Sequence, residues 1–523
     1  MIWHICKKDL RLLWPWVLLL AVLQAGVRVF EFAKYPLSGA VLYGTEQIFA
    51  YGPLVVIAAV VALVVQQDGI PGITLDWLVR PIRRSRLFLA KFSFCALTIL
   101  LPMAVLDVVE CLAMGFGVLP ALSASLSHGL FVLLAAILPF LAIAAITEGI
   151  ADFAATLLLM YLLIAGFELL GRDYLGLHAA PNTIIGDNWS QFYWILTTAK
   201  YGIILMGSLV ALRLQYAGRL TRRSRVLLPV FVLAGFAVLY VPWRDIMPLQ
   251  ERLSRDLDAS RSIAIEFDPT LSPQHLVRGI FSGDETMLSI PIKVTGVPGQ
   301  TQLYVDVAEI RFLDSEGRLV HDFAPATASV GPVAPDSVFR LMPDPELPSY
   351  ITYLVREGDE TAKLLQGRTS KVLVDFGLTL VEKDGEDVRF GPSATPFPLP
   401  KLGFCETKVE EANYYGMPPI ELGCHQVGPE ADGSLLSADI GDTSHPSGQS
   451  YLFRGFAPFF AQLLPDAVNR YGFAVNLDTE KSTRVVYPTV RFTLRNFRSL
   501  AHFRYRLEIP AIRLEDWRDP IEP

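Results

Sequence analysis

The sequence predicts an α-helical polytopic membrane domain of about seven spans, followed by an all-β, sandwich-like extracytoplasmic domain. Three observations predict it. Seven apolar stretches of near-spanning length precede residue 243, and beyond residue 263 period-two alternation takes their place. Charge is also divided: residues 1–243 hold 17 Lys and Arg against 12 Asp and Glu, and the rest holds 28 against 40. A half of net +5 is thus joined to a half of net −12, the pattern of a membrane part carrying an acidic soluble part. That acidity argues against nucleic acid as a partner, because neutralising phosphates requires a basic face.

A spanning helix needs about 20 mostly apolar residues to cross roughly 30 Å of hydrocarbon. The candidates are Leu12–Phe30, Ile48–Val65, Phe88–Val105, Leu130–Ile146, Ala154–Leu170, Phe192–Leu212 and Val226–Val241. Lys7, Lys8 and Arg11 precede the first. Arg80, Arg83, Arg84 and Arg86 follow the second, and Arg213, Arg219, Arg222, Arg223 and Arg225 follow the sixth. Basic residues gather on the cytoplasmic side, so this spacing predicts a cytoplasmic N-terminus and an extracytoplasmic C-terminal half, in an inner (plasma) membrane. Trp14, Trp16, Trp189, Trp194 and Trp243 fall near predicted span ends, the level that amphipathic rings favour.

Details inside this half raise narrower expectations. His4, Lys7, Lys8 and Arg11 share one helical face, either a basic amphipathic helix lying in the interface or an ordinary basic flank of the first span. That first span reads as retained, since Leu23 and Ala25 before Gly26 make a poor signal-cleavage site. Glu148, Gly149 and Asp152 mark a tight turn between the fourth and fifth stretches. Asp107, Glu110 and Lys200 lie at membrane depth toward one leaflet. They are either an intramembrane charge pair or groups that snorkel to the surface.

The loop after the second stretch holds the clearest functional signal. It reads Gln67-Asp68-Gly69-Ile70-Pro71-Gly72 and then, from Asp76, Trp77-Leu78-Val79-Arg80-Pro81-Ile82-Arg83-Arg84-Ser85-Arg86, running on to Lys91. Together with the opening Lys8-Asp9-Leu10-Arg11, it resembles the ABC-2-type permeases, membrane subunits of bacterial ATP-driven exporters. The resemblance covers roughly residues 1–225 and implies that this loop meets a separate ABC ATPase subunit. Trp77, Arg80, Pro81, Ile82, Arg83 and Arg86 are then the contact candidates. It also implies a homodimer or a permease heterodimer. No Gly-x-x-x-x-Gly-Lys-Ser/Thr loop occurs in the chain, so this subunit is expected to be no enzyme and to hold no cofactor, with ATP on the partner. Family members commonly have six spans, whereas this chain has a seventh and some 280 further residues.

The remainder divides into a stalk at 244–262, a β-sandwich-like module at 263–400 and a second β-rich module at 401–523, with a Pro-rich join near Pro392–Pro400. Leu303, Val305 and Val307 alternate with polar residues, as do Val372–Leu380, Val490–Leu494 and Phe503–Ile509; these are half-buried strands. Phe456–Val468 reads as a helix. Cys405 and Cys424 are either a disulfide or two free thiols, and His425 beside them is weak evidence for a metal. Without a catalytic motif, this half reads as a domain that binds substrate or an envelope protein. The competing reading of the whole chain is a non-transporting membrane anchor for an extracytoplasmic binding or sensory domain.

Overall fold

The computed structural model describes residues 2–32, 40–67, 84–173, 193–218, 220–271, 274–278, 285–299, 301–323, 328–331, 340–341, 349–356, 368–393, 395–409, 420–427, 433–440, 448–453, 468–475 and 490–513. The first half is helical. Its helices are α1 (Ile2–Phe32), α2 (Ala40–Gln66), α3 (Arg84–Cys95), α4 (Leu101–Ala113), α5 (Val118–Val132), α6 (Leu138–Ile146), α7 (Ile150–Asp173), α8 (Tyr193–Arg213), α9 (Thr221–Ala237) and α10 (Trp243–Arg252). Two short π-helical segments, Ala96–Leu100 and Leu133–Ile137, join α3 to α4 and α5 to α6. Each immediately precedes a proline near the start of the next helix, Pro102 or Pro139. Proline offers no N–H, and a one-residue widening of the turn lets the helix continue past it.

Among the described residues, six helical stretches are long and apolar enough to cross a membrane: Trp3–Arg28, Arg86–Ala113, Val118–Ile146, Ile150–Leu170, Ile195–Gly218 and Thr221–Tyr240. A shorter apolar stretch, Gly52–Gln66, belongs to α2. The fourth expected segment begins earlier than Leu130, because α5 starts at Val118. The basic face at Lys7, Lys8 and Arg11 is not a separate interfacial helix: α1 runs through it unbroken for 31 residues. At 1.5 Å per residue that is about 46 Å, longer than the hydrocarbon layer, so its first turns extend past the apolar core. Cys6, Asp9, Leu13 and Leu20 form its buried stripe. Close packing of α8 on α9 uses glycine: a Cβ on Gly207 would lie 2.4 Å from Phe231 Cβ, and one on Gly235 would lie 2.9 Å from Ile204 Cγ1.

The second half is antiparallel β-sheet. One five-stranded sheet contains β1 (Ala264–Phe267), β2 (Gln274–Arg278), β3 (Glu285–Thr295), β6 (Ala328–Gly331) and β8 (Ser349–Arg356). An eight-stranded sheet contains β4 (Thr301–Leu313), β5 (Leu319–Phe323), β7 (Arg340–Leu341), β9 (Thr369–Lys383), β10 (Val388–Phe390), β14 (Gly433–Ile440), β15 (Gly448–Phe453) and β17 (Val490–Arg513). A four-stranded sheet is built from β11 (Phe397–Leu399), β12 (Gly403–Val409), β13 (Ile420–Gln426) and β16 (Asn469–Val475).

These sheets make two cores. Ile265, Ile290, Ile292 and Ile351 of the five-stranded sheet pack on Val372, Phe376, Phe503 and Ile509 of the eight-stranded one. Leu402, Cys405, Leu422 and Cys424 pack on Leu436, Phe492 and Leu494 of the same sheet. The boundary expected at residue 400 therefore does not separate two sheets, since β17 pairs with β9 and β14 together. A bulge between Ser499 and Ala501 switches its buried positions from even-numbered Val490, Phe492 and Leu494 to odd-numbered Ala501, Phe503 and Ile509. The helix expected at Phe456–Val468 lies almost wholly outside the described residues.

The stalk is not free-standing. Trp243, Ile246, Met247 and Gln250 of α10 are buried, and a Cβ on Gly377 of β9 would meet Trp243 at 3.3 Å and Met247 at 3.6 Å. Ser254 Oγ accepts the His502 N–H at 2.8 Å, and Arg504 Nε donates to Glu251 at 3.0 Å. A second contact joins the turn after α4 to the four-stranded sheet: Phe116 stacks edge-on against Phe404 at 5.1 Å. Gly115 has φ +93°, and a Cβ there would come within 3.0 Å of the Phe404 ring. Only glycine fits both the backbone and the space.

Candidate functional site

Two buried charge clusters tie α1 to the helix running from α3 into α4. The first lies at the end where α1 begins. Asp9 and Lys91 side chains are both fully buried, and Lys91 Nζ donates to Asp9 Oδ2 at 2.9 Å. The neighbouring Cys6 Sγ donates to the Ala90 carbonyl at 3.4 Å. A lysine and an aspartate without solvent are tolerable only as a hydrogen-bonded pair.

The second cluster lies toward the other end. Arg28 Nη2 donates to Asp107 Oδ1 at 2.8 Å, and its Nε lies 3.1 Å from Glu110 Oε2. His128 Nδ1 of α5 is 2.7 Å from Asp107 Oδ2. Asp107 is 0% and Glu110 2% exposed, so both carboxylates depend on these partners.

The spacing of the clusters follows from helix geometry. Asp9 to Arg28 is 19 residues, about 28 Å along an α-helix. The two clusters therefore stand about one hydrocarbon thickness apart along α1. Because Asp9 meets Lys91 and Arg28 meets Asp107, α1 and the α3–α4 helix run parallel, clamped at both ends.

Further contacts gather at the first end. Gln66 Nε2 at the close of α2 donates to Thr147 Oγ1 at 3.1 Å. Arg225 at the start of α9 donates through Nε to the Ile146 carbonyl at 2.9 Å, with Glu148 and Asp152 beside it at 3.4 and 3.5 Å. The β-sheets contact only the opposite end in the interactions described above, through Phe116 and through α10.

Of the residues singled out from sequence, Trp77, Arg80, Pro81, Ile82 and Arg83 lie outside the described residues. Arg86 is exposed in the first turn of α3. Asp107 and Glu110 do form a buried ion cluster, but with Arg28 and His128 instead of Lys200. Lys200 Nζ sits over the rings of Tyr201 and Phe236, at 4.6 and 5.6 Å from their centroids. Its place on α8, against α9, keeps it out of the α1–α4–α5 group. Cys405 and Cys424 face each other across β12 and β13 and are disulfide-bonded, so Cys424 is no thiolate partner for His425. Among the described residues, no group of three or more His, Cys, Asp and Glu could hold a metal ion.

Sequence reasoning missed the pairing of Asp9 with Lys91 and the roles of Arg28 and His128. A signal existed: Arg28 falls inside an apolar run, 19 residues after the buried Asp9, at a depth where an unpaired charge is not tolerated. No family model and no curated protein sequence matches this chain.

Proposed function

We propose that the chain is the membrane permease subunit of an ATP-driven ABC-2-type exporter, energised by a separate ATPase chain. It crosses the plasma membrane seven times with its N-terminus in the cytoplasm, and its β-rich half lies outside, where it engages substrate or an envelope protein. Supporting the seventh span, α2 is 27 residues long, and its inclusion makes the parity agree with the basic clusters at residues 7–11, 80–86 and 213–225.

The observation that carries the reading is the buried Asp9–Lys91 pair. It joins the two segments on which the permease resemblance rests: the helix before the first span, and the helix that leaves the basic loop. Force applied by an ATPase to the loop at residues 80–86 would pass along α3 to Lys91, and from there to α1. The parallel clamp of α1 to α3–α4 would move as one unit, shifting the bundle between inward and outward access. The chain itself would contribute no ATP chemistry.

The test is purification of the full-length protein in mild detergent with whatever accompanies it. Stoichiometric recovery of an ATPase chain, lost in an Arg80→Glu/Arg83→Glu/Arg86→Glu variant that stays folded, supports the proposal. Recovery of folded wild-type protein from intact membranes with no ATPase overturns it and favours the anchored binding domain.

A further inference from the structure

Helix α10 meets the eight-stranded sheet along one side. Arg244 Nη2 donates to Asp375 at 2.8 Å, Met247 lies over Gly377, Arg504 donates to Glu251 at 3.0 Å, and Ser254 accepts the His502 N–H. Turned away from the sheet is an apolar row at i, i+3 and i+7: Ile246, Leu249 and Leu253. Ile246 is buried in a cluster with Ile195 and Leu196 at the start of α8. Leu249 and Leu253 continue the row but are 48% and 56% exposed, and Leu257 just beyond is 39% exposed. The row thus begins on the end of the helical bundle and runs off it.

The sheet fixes the direction of α10. The helix starts beside Glu309 and Asp375 and ends beside Leu500, whose carbonyl accepts the Arg255 and Asp256 N–H groups, so it lies along the strands. The other way, β4 runs on from Glu309 to Leu313, about 13 Å of strand. The turn Asp314–Arg318 lies beyond, with Glu316 and Arg318 exposed. An α10 standing upright on the membrane would drive that end into the bundle or the hydrocarbon, because α10 begins only three residues after the apolar stretch ends at Tyr240. Exposed charges are costly there. The strands and α10 therefore lie along the membrane surface, with the sheet outward.

The second contact with the bundle agrees with this layering. Phe131 of α5 and Tyr201 of α8 are level, with ring centroids 5.4 Å apart. From that level α5 continues about 20 Å to Val118, and α8 about 12 Å to Tyr193. The α4–α5 turn therefore stands roughly 8 Å taller than the end of α8, close to the spacing of two packed sheets. It meets Phe404 of the four-stranded sheet, which packs through Phe492 and Leu494 on the face of the eight-stranded sheet away from α10.

We propose that α10 is an interfacial helix that lays Leu249 and Leu253, with Leu257 behind them, into the headgroup–acyl boundary of the bilayer. The partner is the lipid surface itself, engaged by apolar burial. Charge does not select it: Asp245 and Arg252 at the edge of the row carry one charge of each sign, as do Arg255 and Asp256, and Asp258 pairs with Arg261. Insertion holds the sheet flat on the membrane and fixes its rotation about the end of α9. The proposal needs only that the helical half spans a membrane. It stands apart from the transport reading and from which side the β-rich half occupies.

The test uses full-length protein carrying Leu253→Cys, labelled with bimane and reconstituted in phosphatidylcholine vesicles. Cys6, Cys95 and Cys111 are buried and Cys405 is bonded to Cys424, so the label goes to the new thiol. Phosphatidylcholine brominated just below the headgroup should quench its emission about twofold, because an interfacial helix reaches about 5–10 Å into that boundary. Glu266→Cys serves as the control: residue 266 is exposed on the five-stranded sheet, which packs on the side of the eight-stranded sheet away from α10, and its label should keep its emission. Both substitutions are at exposed positions and leave the cores intact. Emission at residue 253 that is the same with and without bromine, or equal quenching at residues 253 and 266, overturns the proposal. Cross-linking between two Leu253→Cys chains without quenching also overturns it and assigns the row to a second copy.

Discussion

Asp306, Thr379 and His502 make a prediction that can be worked through in numbers. Asp306 occupies the bulge between Val305 and Val307 of β4, and Thr379 stands opposite His502 across β9 and β17. Thr379 Oγ1 lies 2.5 Å from Asp306 Oδ2 and 2.7 Å from His502 Nδ1. A hydroxyl has one proton to give, so one of its two neighbours must donate to it. Burial pushes the Asp306 carboxyl from 3.8 up to about 8, against a smaller opposing effect of Thr379, and pushes His502 from 6.5 down to about 4. At neutral pH the row is then uncharged, with Thr379 O–H donating to Asp306 Oδ2 and the neutral imidazole Nδ1–H donating to Thr379.

The linkage has a definite sign. Between pH 3.8 and 8 the folded state keeps a proton on Asp306 that the unfolded chain has lost, so stability falls as pH rises, by about 1.4 kcal/mol per unit. His502 acts oppositely, lowering stability as pH drops from 6.5 toward 4. The two slopes nearly cancel between pH 4 and 6.5, leaving Asp306 alone between pH 6.5 and 8. The full effect there is about 2 kcal/mol, reduced to about 1–2 kcal/mol because Asp306 is only partly screened from water. Asp306→Asn keeps an acceptor for Thr379 but cannot ionise. In thermal unfolding of the β-sheet signal by circular dichroism, wild type should lose roughly 3–6 °C more than the variant between pH 6.5 and 8.0. Parallel pH profiles for the two proteins would refute the assignment of a neutral Asp306.

Three further outcomes are expected. Asp9→Leu should cost about 3–5 kcal/mol by stranding Lys91, and Asp9→Leu/Lys91→Met should recover most of it, read as thermal midpoints in detergent; a double variant no better than the single would argue against a buried ion pair. Reducing Cys405–Cys424, 19 residues apart, should lower the stability of the four-stranded sheet by about 3 kcal/mol, measured by hydrogen exchange of β12 and β13 with and without reductant. Gly235→Leu should separate α8 from α9, since even a Cβ there comes within 3.1 Å of the Lys200 carbonyl; faster proteolysis between these helices is the readout, with Gly202→Leu, where a Cβ meets nothing within 4 Å, as the silent control.

The helical half was legible because lipid imposes a crude requirement, length and apolarity, that a sequence states openly. Partners inside the bundle were less so. Asp107 and Glu110 stood out as charges at membrane depth, either paired or snorkelling, yet the choice of Arg28 over Lys200 depends on which helices are neighbours, and hydropathy is silent on that. In the β half, alternation located Val490–Leu494 and Phe503–Ile509 correctly, but they read as two strands. The bulge at Ser499 to Ala501 reverses the phase midway, which in sequence is indistinguishable from a turn. The division at residue 400 failed for a related reason: strand pairing between residues more than 100 apart leaves no local trace, whereas the Cys405–Cys424 spacing does.

That long strand has a consequence for how the protein is made. Both β-cores take wall residues from Val490–Arg513: Phe492 and Leu494 for one, Phe503 and Ile509 for the other. Neither core can close while those 24 residues are missing, so β9, finished more than 100 positions earlier, must wait with an open edge. On the proposed topology that wait takes place outside the cytoplasm, during translocation, in an environment where an unpaired strand invites aggregation. Chains ending before Val490 should therefore retain membrane-inserted helices yet present neither sheet core in a protease-resistant form, making residues 490–513 a checkpoint on assembly of the whole β-rich half.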